Sequence, residues 1–269
     1  MNKYQAILFD LDGTLLNTLE DLYLSTNYAL AYYGYKTRTK EEVRCFVGNG
    51  VKVLIDKAAP KDCDNLTQVL DTFKAHYEKH ATDHIEIYDG ILELLKELKQ
   101  RNIKIGVVTN KFEEAAKIIV NNYFGDMFDV IVGERKELNK KPAADMCNYA
   151  INLLKVEKEK VLYIGDSEVD IKTAENTHLP YLSVSWGFRT KEELKKAQAK
   201  IIINKPCFCD LLKCFFHITL LRTVSCVRHI AGRLPQRSHH ITRLLLLQAG
   251  RRRFKLHRVV ALAAGKSRC

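Results

Sequence analysis

The first feature along the chain is a short apolar run that ends at a carboxylate. Residues 4–9 read Tyr-Gln-Ala-Ile-Leu-Phe and lead directly into Asp10. A run of this length without regular alternation is typical of a strand buried on both faces of a parallel sheet. The pattern predicts such a strand over residues 4–9, with Asp10 at its carboxyl end.

From about residue 19 to residue 83 the apolar positions follow the three- and four-residue spacing of amphipathic helices. The positions that show this spacing are Leu22, Tyr28 and Leu30, then Val51, Leu54 and Ile55, then Val69, Leu70 and Phe73. Charged residues fill the faces between them, as expected for helices that bury one side. This part of the chain is therefore predicted to be all helical.

From residue 91 onward, helical patterns alternate with short apolar runs. Helices are predicted over 91–100, 112–121, 143–154, 168–177 and 190–199, and strands over 103–108, 130–132, 161–164, 181–184 and 201–203. Such alternation indicates an α/β fold with a doubly wound parallel sheet and helices on both faces. The helical segment has no place in that sheet. We therefore predict a core of residues 1–16 and 87–212, with a small helical cap domain over residues 17–86.

The composition is that of a globular protein without a membrane span. Hydrophobic residues make up 46% and charged residues 28% of the 269 positions, and no apolar stretch reaches 18 residues. The first residues lack the pattern of a secretory signal, and the scattered cysteines of the body suit a reducing compartment. A cytoplasmic location is the expectation. The oligomeric state stays open.

The net charge of +11 belongs to the end of the chain. Residues 211–269 contain 13 of the 43 Lys and Arg residues and none of the 32 Asp and Glu residues. They also favour Arg over Lys, whereas the rest of the chain favours Lys. So abrupt a change favours a frameshift, read-through or gene-prediction origin for the atypical basic tail at 213–269.

Two other interpretations of the tail stay open. A basic, partly helical extension could bind nucleic acid or acidic lipid, and a solvated, disordered appendage would also fit this composition. A zinc site is disfavoured because its candidate ligands lack paired spacing. Those candidates are Cys207, Cys209, Cys214, His217 and Cys226.

Asp10 and Asp12 are the first of four groups with candidate chemistry. Ligands of a doubly wound sheet bind beyond the carboxyl ends of its strands, where this pair and Gly13 stand. One carboxylate suits nucleophilic attack on phosphorus, the other suits proton transfer, and a glycine lets backbone N–H groups approach a phosphate. An Asp-Gly turn with a solvated neighbour is the structural alternative.

Two further groups follow the next two predicted strands. Thr109-Asn110-Lys111 offers a hydroxyl at a strand end beside a helix N-terminus, and Lys141-Pro142 precedes the next helix. A hydroxyl and an ammonium group both bind phosphate oxygens, and proline at the first helical position would hold Lys141 at the helix entrance. A plain helix N-cap and a solvated loop are the respective alternatives.

The fourth group is an acidic cluster after the strand over 161–164. It reads Gly165-Asp166-Ser167-Glu168-Val169-Asp170 and offers hard oxygen ligands for magnesium. An acidic helix N-terminus is the alternative, since it is stabilising in itself. All four groups follow successive strands of one predicted sheet, so we expect them to converge on one site.

In this order the motifs resemble those of the haloacid dehalogenase superfamily, and within it the phosphoglycolate phosphatase-like branch. The resemblance covers about residues 1–212. It rests on Asp10-Leu11-Asp12-Gly13-Thr14, Thr109, Lys141-Pro142 and Gly165-Asp166 with Asp170. Thr109-Asn110-Lys111 and Ser185-Trp186-Gly187-Phe188 also look like this branch. The resemblance implies a phosphatase with a Rossmann-like core and a cap inserted after the first motif.

The resemblance also implies a role for each catalytic residue. Asp10 would be the nucleophile that carries an aspartyl phosphate, and Asp12 the general acid and base. Thr109, Asn110 and Lys141 would bind the phosphoryl oxygens. A carboxylate at Asp12 is what distinguishes the phosphatases of the superfamily from its dehalogenases.

A magnesium ion and a cap loop complete the implied site. The ion would be bound by the carboxylates of Asp10 and Asp166 and the backbone carbonyl of Asp12, with Asp170 in support. Gly48, Asn49 and Gly50 would form the loop that faces the substrate. The expected function is magnesium-dependent hydrolysis of a small phosphorylated metabolite, with 2-phosphoglycolate as the first candidate.

Three other functions remain in view. A sugar-phosphate mutase or a pyrophosphatase would use the same superfamily core. From another class, the chain could be a nucleic-acid-binding protein that acts through its basic tail. The intact set of catalytic residues argues against this last interpretation, so nucleic acid is not the expected partner.

Overall fold

The computed structural model describes residues 4–208 and Leu211; the tail predicted over 213–269 lies outside them. In chain order the elements are β1 (Ala6–Phe9), β2 (Leu16–Asn17), α1 (Leu19–Tyr32), α2 (Lys40–Phe46), α3 (Val51–Ala58), α4 (Leu66–His80), β3 (Glu86–Ile87), α5 (Ile91–Gln100), β4 (Lys104–Phe112), α6 (Glu113–Phe124), β5 (Val130–Glu134), α7 (Asp145–Leu154), a 3-10 turn (Lys158–Lys160), β6 (Val161–Gly165), α8 (Glu168–Thr177), β7 (Tyr181–Val184), α9 (Lys191–Lys196) and β8 (Ile202–Ile203).

The central sheet has six parallel strands in the order β5-β4-β1-β6-β7-β8. The chain runs outward from β1 through β4 and β5, then returns to the other side of β1 for β6 to β8. The strand order thus reverses beside β1, and such a switch point opens a crevice at the carboxyl ends of the strands. The predicted α/β fold class is confirmed.

β1 is buried on both faces, which explains its continuous apolar run. Ala6 and Leu8 pack against side chains of α7 and α8, and Ile7 and Phe9, which alternate with them, are also fully buried. Parallel strands covered by helices on both sides require apolar residues at every position. The register places Phe9 beside both β4 and β6, so Asp10 emerges at the centre of the sheet.

Helices α1 to α4 pack around their own apolar cluster, separate from the sheet. Leu30, Val43, Leu54 and Phe73, one from each helix, are almost completely buried in it. The antiparallel pair of β2 and β3 closes the base of this segment, where the chain leaves and re-enters the core. The division into a cap over 17–86 and a core stays a prediction, which the position of this strand pair supports.

Several predicted bounds differ from the structure, and two of the differences affect residues of the expected site. The strand predicted over 103–108 continues to Phe112, because β4 resumes pairing with β5 after an irregularity and joins Phe112 to Glu134. The helix predicted over 143–154 begins at Asp145. Pro142 therefore does not occupy the first helical position; it follows a cis peptide bond in the preceding turn.

Within residues 4–208 and Leu211, no helix is both long and apolar enough to cross a membrane.

We expect Leu95→Ala to lower the free energy of unfolding by about 2–5 kcal/mol, because it leaves a cavity where α5 packs on the core. Leu95 is fully buried, whereas Leu153 on α7 is 51% exposed. The matched control Leu153→Ala should change the free energy of unfolding by no more than about 0.5 kcal/mol. Urea unfolding followed by circular dichroism measures both. Equal losses would contradict the packing described for α5.

Candidate active site

The side chains that follow β1, β5 and β6 meet at the carboxyl end of the sheet. Lys141, from the loop after β5, places its Nζ 2.8 Å from Asp10 Oδ1 and 2.9 Å from Asp170 Oδ1. The same ammonium group donates to the hydroxyl of Tyr163, 3.2 Å away. Four residues far apart in sequence therefore form one charged cluster around a buried lysine.

Asp10, Asp166 and Asp170 form a set of carboxylates suited to a cation. Each offers an oxygen atom, and these atoms lie within 4.8 Å of one another. The backbone N–H of Leu11 donates to Asp10 Oδ1 over 2.7 Å, and in the described part of the chain no hydrogen bond reaches Asp10 Oδ2. The arrangement leaves that second oxygen available for chemistry.

The pKa values show that this cluster holds excess negative charge. Burial raises the pKa of Asp10 well above its ordinary value, although Lys141 opposes the shift. Burial and the neighbouring Asp170 raise the pKa of Asp166 to about 7. Burial also acts on Asp170, but Lys141 and the Ser167 hydroxyl outweigh it and lower its pKa. One lysine does not balance three buried carboxylates, and a divalent cation would do so.

Both carboxylate oxygens of Asp170 already have hydrogen-bond partners. Its Oδ2 accepts from the backbone N–H and the hydroxyl of Ser167, at 3.1 and 2.6 Å. Its Oδ1 accepts from Lys141 and from the Tyr163 hydroxyl, each over 2.9 Å. With both oxygens used in this way, Asp170 acts as the support of Lys141.

Asp166 is held where two glycines leave room for it. The N–H of Phe188 donates to Asp166 Oδ2 over 2.7 Å, and Thr14 donates to Oδ1 over 3.3 Å. A Cβ on Gly13, whose φ is +83°, would lie 2.5 Å from that carboxylate, and one on Gly187 would lie 2.0 Å from the Gly13 carbonyl oxygen. Side chains at either position would displace the carboxylate, so the glycines of both motifs are needed for the close approach.

Asp12 belongs to a separate hydrogen-bonded group at the edge of the cap. The hydroxyl of Thr18 donates to Asp12 Oδ1 over 2.7 Å. Lys111 Nζ lies 3.0 and 3.3 Å from the two carboxylate oxygens and 2.8 Å from the hydroxyl of Tyr77 on α4. Although burial opposes it, the charge of Asp12 raises the pKa of Lys111, so this lysine stays charged. Asp12 is thereby held as a partly buried, paired carboxylate.

Thr109 and Asn110 both lie in β4, but their side chains make hydrogen bonds with different parts of the structure. The hydroxyl of Thr109, almost fully buried, accepts a hydrogen bond from the N–H of Lys111 over 3.2 Å. The side chain of Asn110 accepts from the N–H of Lys141 over 2.8 Å and donates to the carbonyls of Lys141 and Gly48, at 3.0 and 3.1 Å. Both of its side-chain N–H groups are thus used within the protein.

The placement of Lys141 therefore has a cause different from the expected one. The sequence predicted that proline at the start of a helix would hold it, but Pro142 lies three residues before α7 begins. Instead, Asn110 bonds both the N–H and the C=O of Lys141, as a neighbouring strand would. This contact fixes the lysine backbone against β4.

The cap loop of Gly48, Asn49 and Gly50 lies against the core, at the site entrance. Besides the bond from Asn110 to Gly48, a Cβ on Gly50 would approach Lys140 Nζ to 3.2 Å. Asn49 is half-buried in the same loop. The three predicted cap residues thus stand where the cap meets the strand ends.

Two arginines fasten the cap to the core next to this loop. From the core, Arg189 donates to the carbonyls of Arg44 and Val47, each over 2.9 Å, and pairs with Glu168. From the cap, Arg44 donates to the carbonyl of Phe188 and pairs with Glu193 over 3.0 Å. The two residues bond in opposite directions across the same seam and so hold the helical segment against the core.

Residues 7–184 match the family model described as haloacid dehalogenase-like hydrolase. That match spans more than half of the chain and covers every residue placed in the cluster around Lys141.

The chain belongs to the haloacid dehalogenase-like hydrolases.

The proteins to which the chain is similar indicate which kind of hydrolase it is. Phosphoglycolate phosphatase from Cereibacter sphaeroides is 35% identical over 192 residues, covering 68% of this chain and 86% of that protein. Pyrophosphatase PpaX from Bacillus mycoides is 28% identical over 204 residues, covering 76% of this chain and 94% of that protein. A crystal structure assigned as a phosphoglycolate phosphatase, from Lactobacillus delbrueckii subsp. bulgaricus, has a TM-score of 0.72 at 35% identity, covering 76% of this chain and 95% of that one.

These comparisons confirm the predicted family and enzyme class. This hydrolase is a phosphoric monoester hydrolase similar to the phosphoglycolate phosphatases. The sequence pattern assigned no role to four residues that the structure places beside the site, namely Lys111, Tyr77, Thr18 and Arg189. The position of Lys111 directly after Thr109-Asn110 could have indicated a role in the site. It was assigned none because a helix was expected to begin at the next residue. The others carry no local pattern.

We expect Asn110→Ala to lower kcat/KM by about 10²-fold, because the backbone of Lys141 loses its partner and the ammonium group shifts. The free energy of unfolding should fall by about 1–3 kcal/mol, since buried backbone groups are left unpaired. Steady-state kinetics and urea unfolding measure the two effects. Asn139→Ala is the matched control, because that amide is exposed and, among the described residues, hydrogen-bonds Asp145 alone. An Asn110→Ala enzyme as active as this control would disprove the positioning role.

Proposed function

We propose that this hydrolase cleaves a small phosphomonoester in two steps, through an aspartyl phosphate on Asp10. One observation carries the proposal. Asp10 stands at the centre of the sheet and pairs through Oδ1 with the buried Lys141, while no hydrogen bond to its Oδ2 is found among the described residues. The free oxygen is the nucleophile of the proposal. Asp12, two residues further, is held as a separate carboxylate for proton transfer.

In the first step Asp10 Oδ2 attacks phosphorus, and the bond between phosphorus and the leaving oxygen breaks. Asp12 in its protonated form gives its proton to that oxygen, and the alcohol departs. Lys141 and the hydroxyl of Thr109 hold the transferring phosphoryl oxygens and offset their charge. We assign Asn110 an indirect role, because its amide is already committed to Lys141 and Gly48.

In the second step a water molecule attacks the aspartyl phosphate. Asp12, now ionised, accepts a proton from that water, the bond between Asp10 and phosphorus breaks, and inorganic phosphate leaves. Asp10 returns to its carboxylate form and Asp12 is protonated again. Closure of the cap over the strand ends excludes bulk water until the alcohol has been formed.

The residues of the acidic cluster fit a magnesium ion. Asp10 and Asp166 would hold it together with the backbone carbonyl of Asp12, while Asp170 supports the site through Lys141 and Ser167. When bound, magnesium supplies Lewis-acid stabilisation of charge on the phosphoryl oxygens. The raised pKa values of Asp10 and Asp166 support this assignment, since burial disfavours both carboxylates more than Lys141 and Arg189 favour them.

The first candidate substrate is 2-phosphoglycolate. Support comes from the similar proteins named phosphoglycolate phosphatase, at 35% identity. Pyrophosphate is the second candidate, because a pyrophosphatase is similar over 76% of this chain. The loop of Gly48, Asn49 and Gly50 is proposed to contact the leaving group. A cytoplasmic location, where phosphorylated metabolites are found, is part of the same proposal.

We expect magnesium-dependent phosphate release that peaks on one member of a phosphometabolite panel. The panel includes 2-phosphoglycolate, pyrophosphate and sugar phosphates, and malachite-green detection measures the phosphate released. Chelation with EDTA should abolish turnover, and Asp10→Asn should reduce it by at least about 10⁴-fold, because the nucleophile is lost. Asp126→Asn is the matched control, because it makes the same change at an exposed aspartate that the proposed mechanism does not use.

Three outcomes would decide between the readings of the site. Turnover that survives Asp10→Asn would disprove the covalent mechanism. Low phosphate release combined with activation by a sugar bisphosphate would replace the phosphatase with a sugar-phosphate mutase. A folded, magnesium-loaded enzyme that is inactive on the whole panel would contradict the phosphatase proposal.

A separate test addresses Asp12. We expect Asp12→Asn to lower kcat/KM on an alkyl phosphate, which reports the first step alone, by about 10²–10⁴-fold, because the leaving alkoxide receives no proton. The loss on p-nitrophenyl phosphate should be clearly smaller, since nitrophenolate leaves without protonation. Burst kinetics on that substrate should also show accumulated phosphoenzyme, because the second step lacks its base. Equal losses on both substrates, without a burst, would rule out the general-acid role.

A further inference from the structure

A second buried lysine, Lys111, lies beside the site, and the proposed mechanism gives it no task. Its side chain is 6% exposed, and its Nζ lies 3.0 and 3.3 Å from the two carboxylate oxygens of Asp12. A buried ammonium group is stable only where fixed partners replace its hydration. Lys111 is therefore a permanent positive charge next to the carboxyl that the mechanism uses for proton transfer.

Both the core and the helical segment hold Lys111 in place. Its backbone belongs to β4, and its N–H donates to Thr109 Oγ1 over 3.2 Å. From α4, the hydroxyl of Tyr77 accepts from Nζ over 2.8 Å, and the centre of the Tyr77 ring lies 5.1 Å from the ammonium group. These contacts come from two sides, so they fix the position of the charge relative to Asp12.

The role proposed for Asp12 determines how far the leaving oxygen lies from Lys111. A general acid gives its proton over a hydrogen bond of about 2.6–3.2 Å. Since Nζ contacts both oxygens of Asp12, the leaving oxygen lies no more than about 6.5 Å from the ammonium group. A carboxylate or phosphate one or two bonds beyond that oxygen can come within the roughly 4–6 Å over which opposite charges attract strongly in a buried site.

The neighbouring lysines are committed elsewhere. Lys141 pairs with Asp10 and Asp170, on the side of the phosphoryl group. Lys140 is 35% exposed at the cap loop and lies 3.7 Å from Glu134. Among the described residues, no ammonium or guanidinium group other than that of Lys111 pairs with Asp12. The positive charge on the leaving-group side is therefore that of Lys111.

We propose that Lys111 makes this hydrolase select substrates whose leaving group carries a negative charge next to the leaving oxygen. The inference rests on the proposed phosphatase function and deepens it by naming the substrate class. The carboxylate of 2-phosphoglycolate meets this condition, as does the second phosphate of pyrophosphate, whereas the uncharged hydroxyl of a sugar does not. The two buried lysines then divide the substrate: Lys141 faces the phosphoryl group and Lys111 the leaving group.

The test compares two esters that differ in charge but hardly in size, 2-phosphoglycolate and its neutral amide, 2-phosphoglycolamide. We expect the wild-type kcat/KM to favour the carboxylate by about 10–10²-fold, the size of one charge–charge contact in a partly buried site. Lys111→Met should slow both esters, because Asp12 loses its partner, but it should also bring their ratio close to one. Lys111→Arg keeps the charge and should retain the preference.

Lys140→Met is the matched control, because it removes the same charge from a lysine that contacts Glu134 rather than Asp12. It should keep the wild-type ratio. Equal wild-type turnover of the two esters would overturn the proposal, as would a ratio that Lys111→Met leaves unchanged. If circular dichroism shows that Lys111→Met is unfolded, Lys111→Gln replaces it, and the wild-type comparison stands without either variant.

A binding measurement separates this inference from the proposed function. Calorimetry on Asp10→Asn compares the affinities for the same two esters, with Lys111 present and with Lys111→Met added. We expect tighter binding of the carboxylate only where Lys111 is present. A wild-type enzyme inactive on both esters that still shows this difference would contradict the phosphatase proposal and support the charge selection. Turnover of both esters without a difference that depends on Lys111 would contradict the charge selection alone.

Discussion

A buried lysine between two carboxylates is the interaction on which the active site depends. Lys141 is almost completely removed from water and bonds both Asp10 and Asp170. An ammonium group in such a place is stable only when opposite charges and hydrogen bonds replace its hydration, and removing one partner would leave the other buried and unpaired. The geometry of Asp10 therefore depends on β6 and α8, which hold Asp170, and on β4, which holds the lysine backbone.

The buried carboxylates of the site also need more positive charge than Lys141 alone supplies. Asp166 shares the space with Asp10, and burial raises the pKa of both carboxyls, although Lys141 opposes the shift at both and Arg189 opposes it at Asp166. A site that concentrates uncompensated carboxylates on rigid strand ends is prepared for a divalent cation before the cation arrives. The glycines at 13 and 187 contribute by leaving space for the Asp166 carboxylate.

The cap is joined to this site mainly by polar contacts. Asn110 bonds both the cap loop and Lys141, and Lys111 bonds both Asp12 and Tyr77 of α4. Each of these β4 residues therefore connects a residue of the candidate site with the helical segment over 17–86. The arginine pair at the seam adds further hydrogen bonds and ion pairs between the same two parts of the chain.

The sequence by itself determined the sheet, the helical insert and the residues of the phosphatase motifs. Asp10, Lys141, Asp166 and Asp170 could be placed together because parallel strands end at one edge, and each of these residues stands just beyond a recognisable strand. Only the tertiary structure decided what holds them. Asn110 rather than Pro142 positions Lys141, since that contact joins positions 31 residues apart in sequence. The contact between Lys111 and Tyr77 of α4 is hidden for the same reason: periodicity reports which face of a helix is buried, but not which residue of another element it meets.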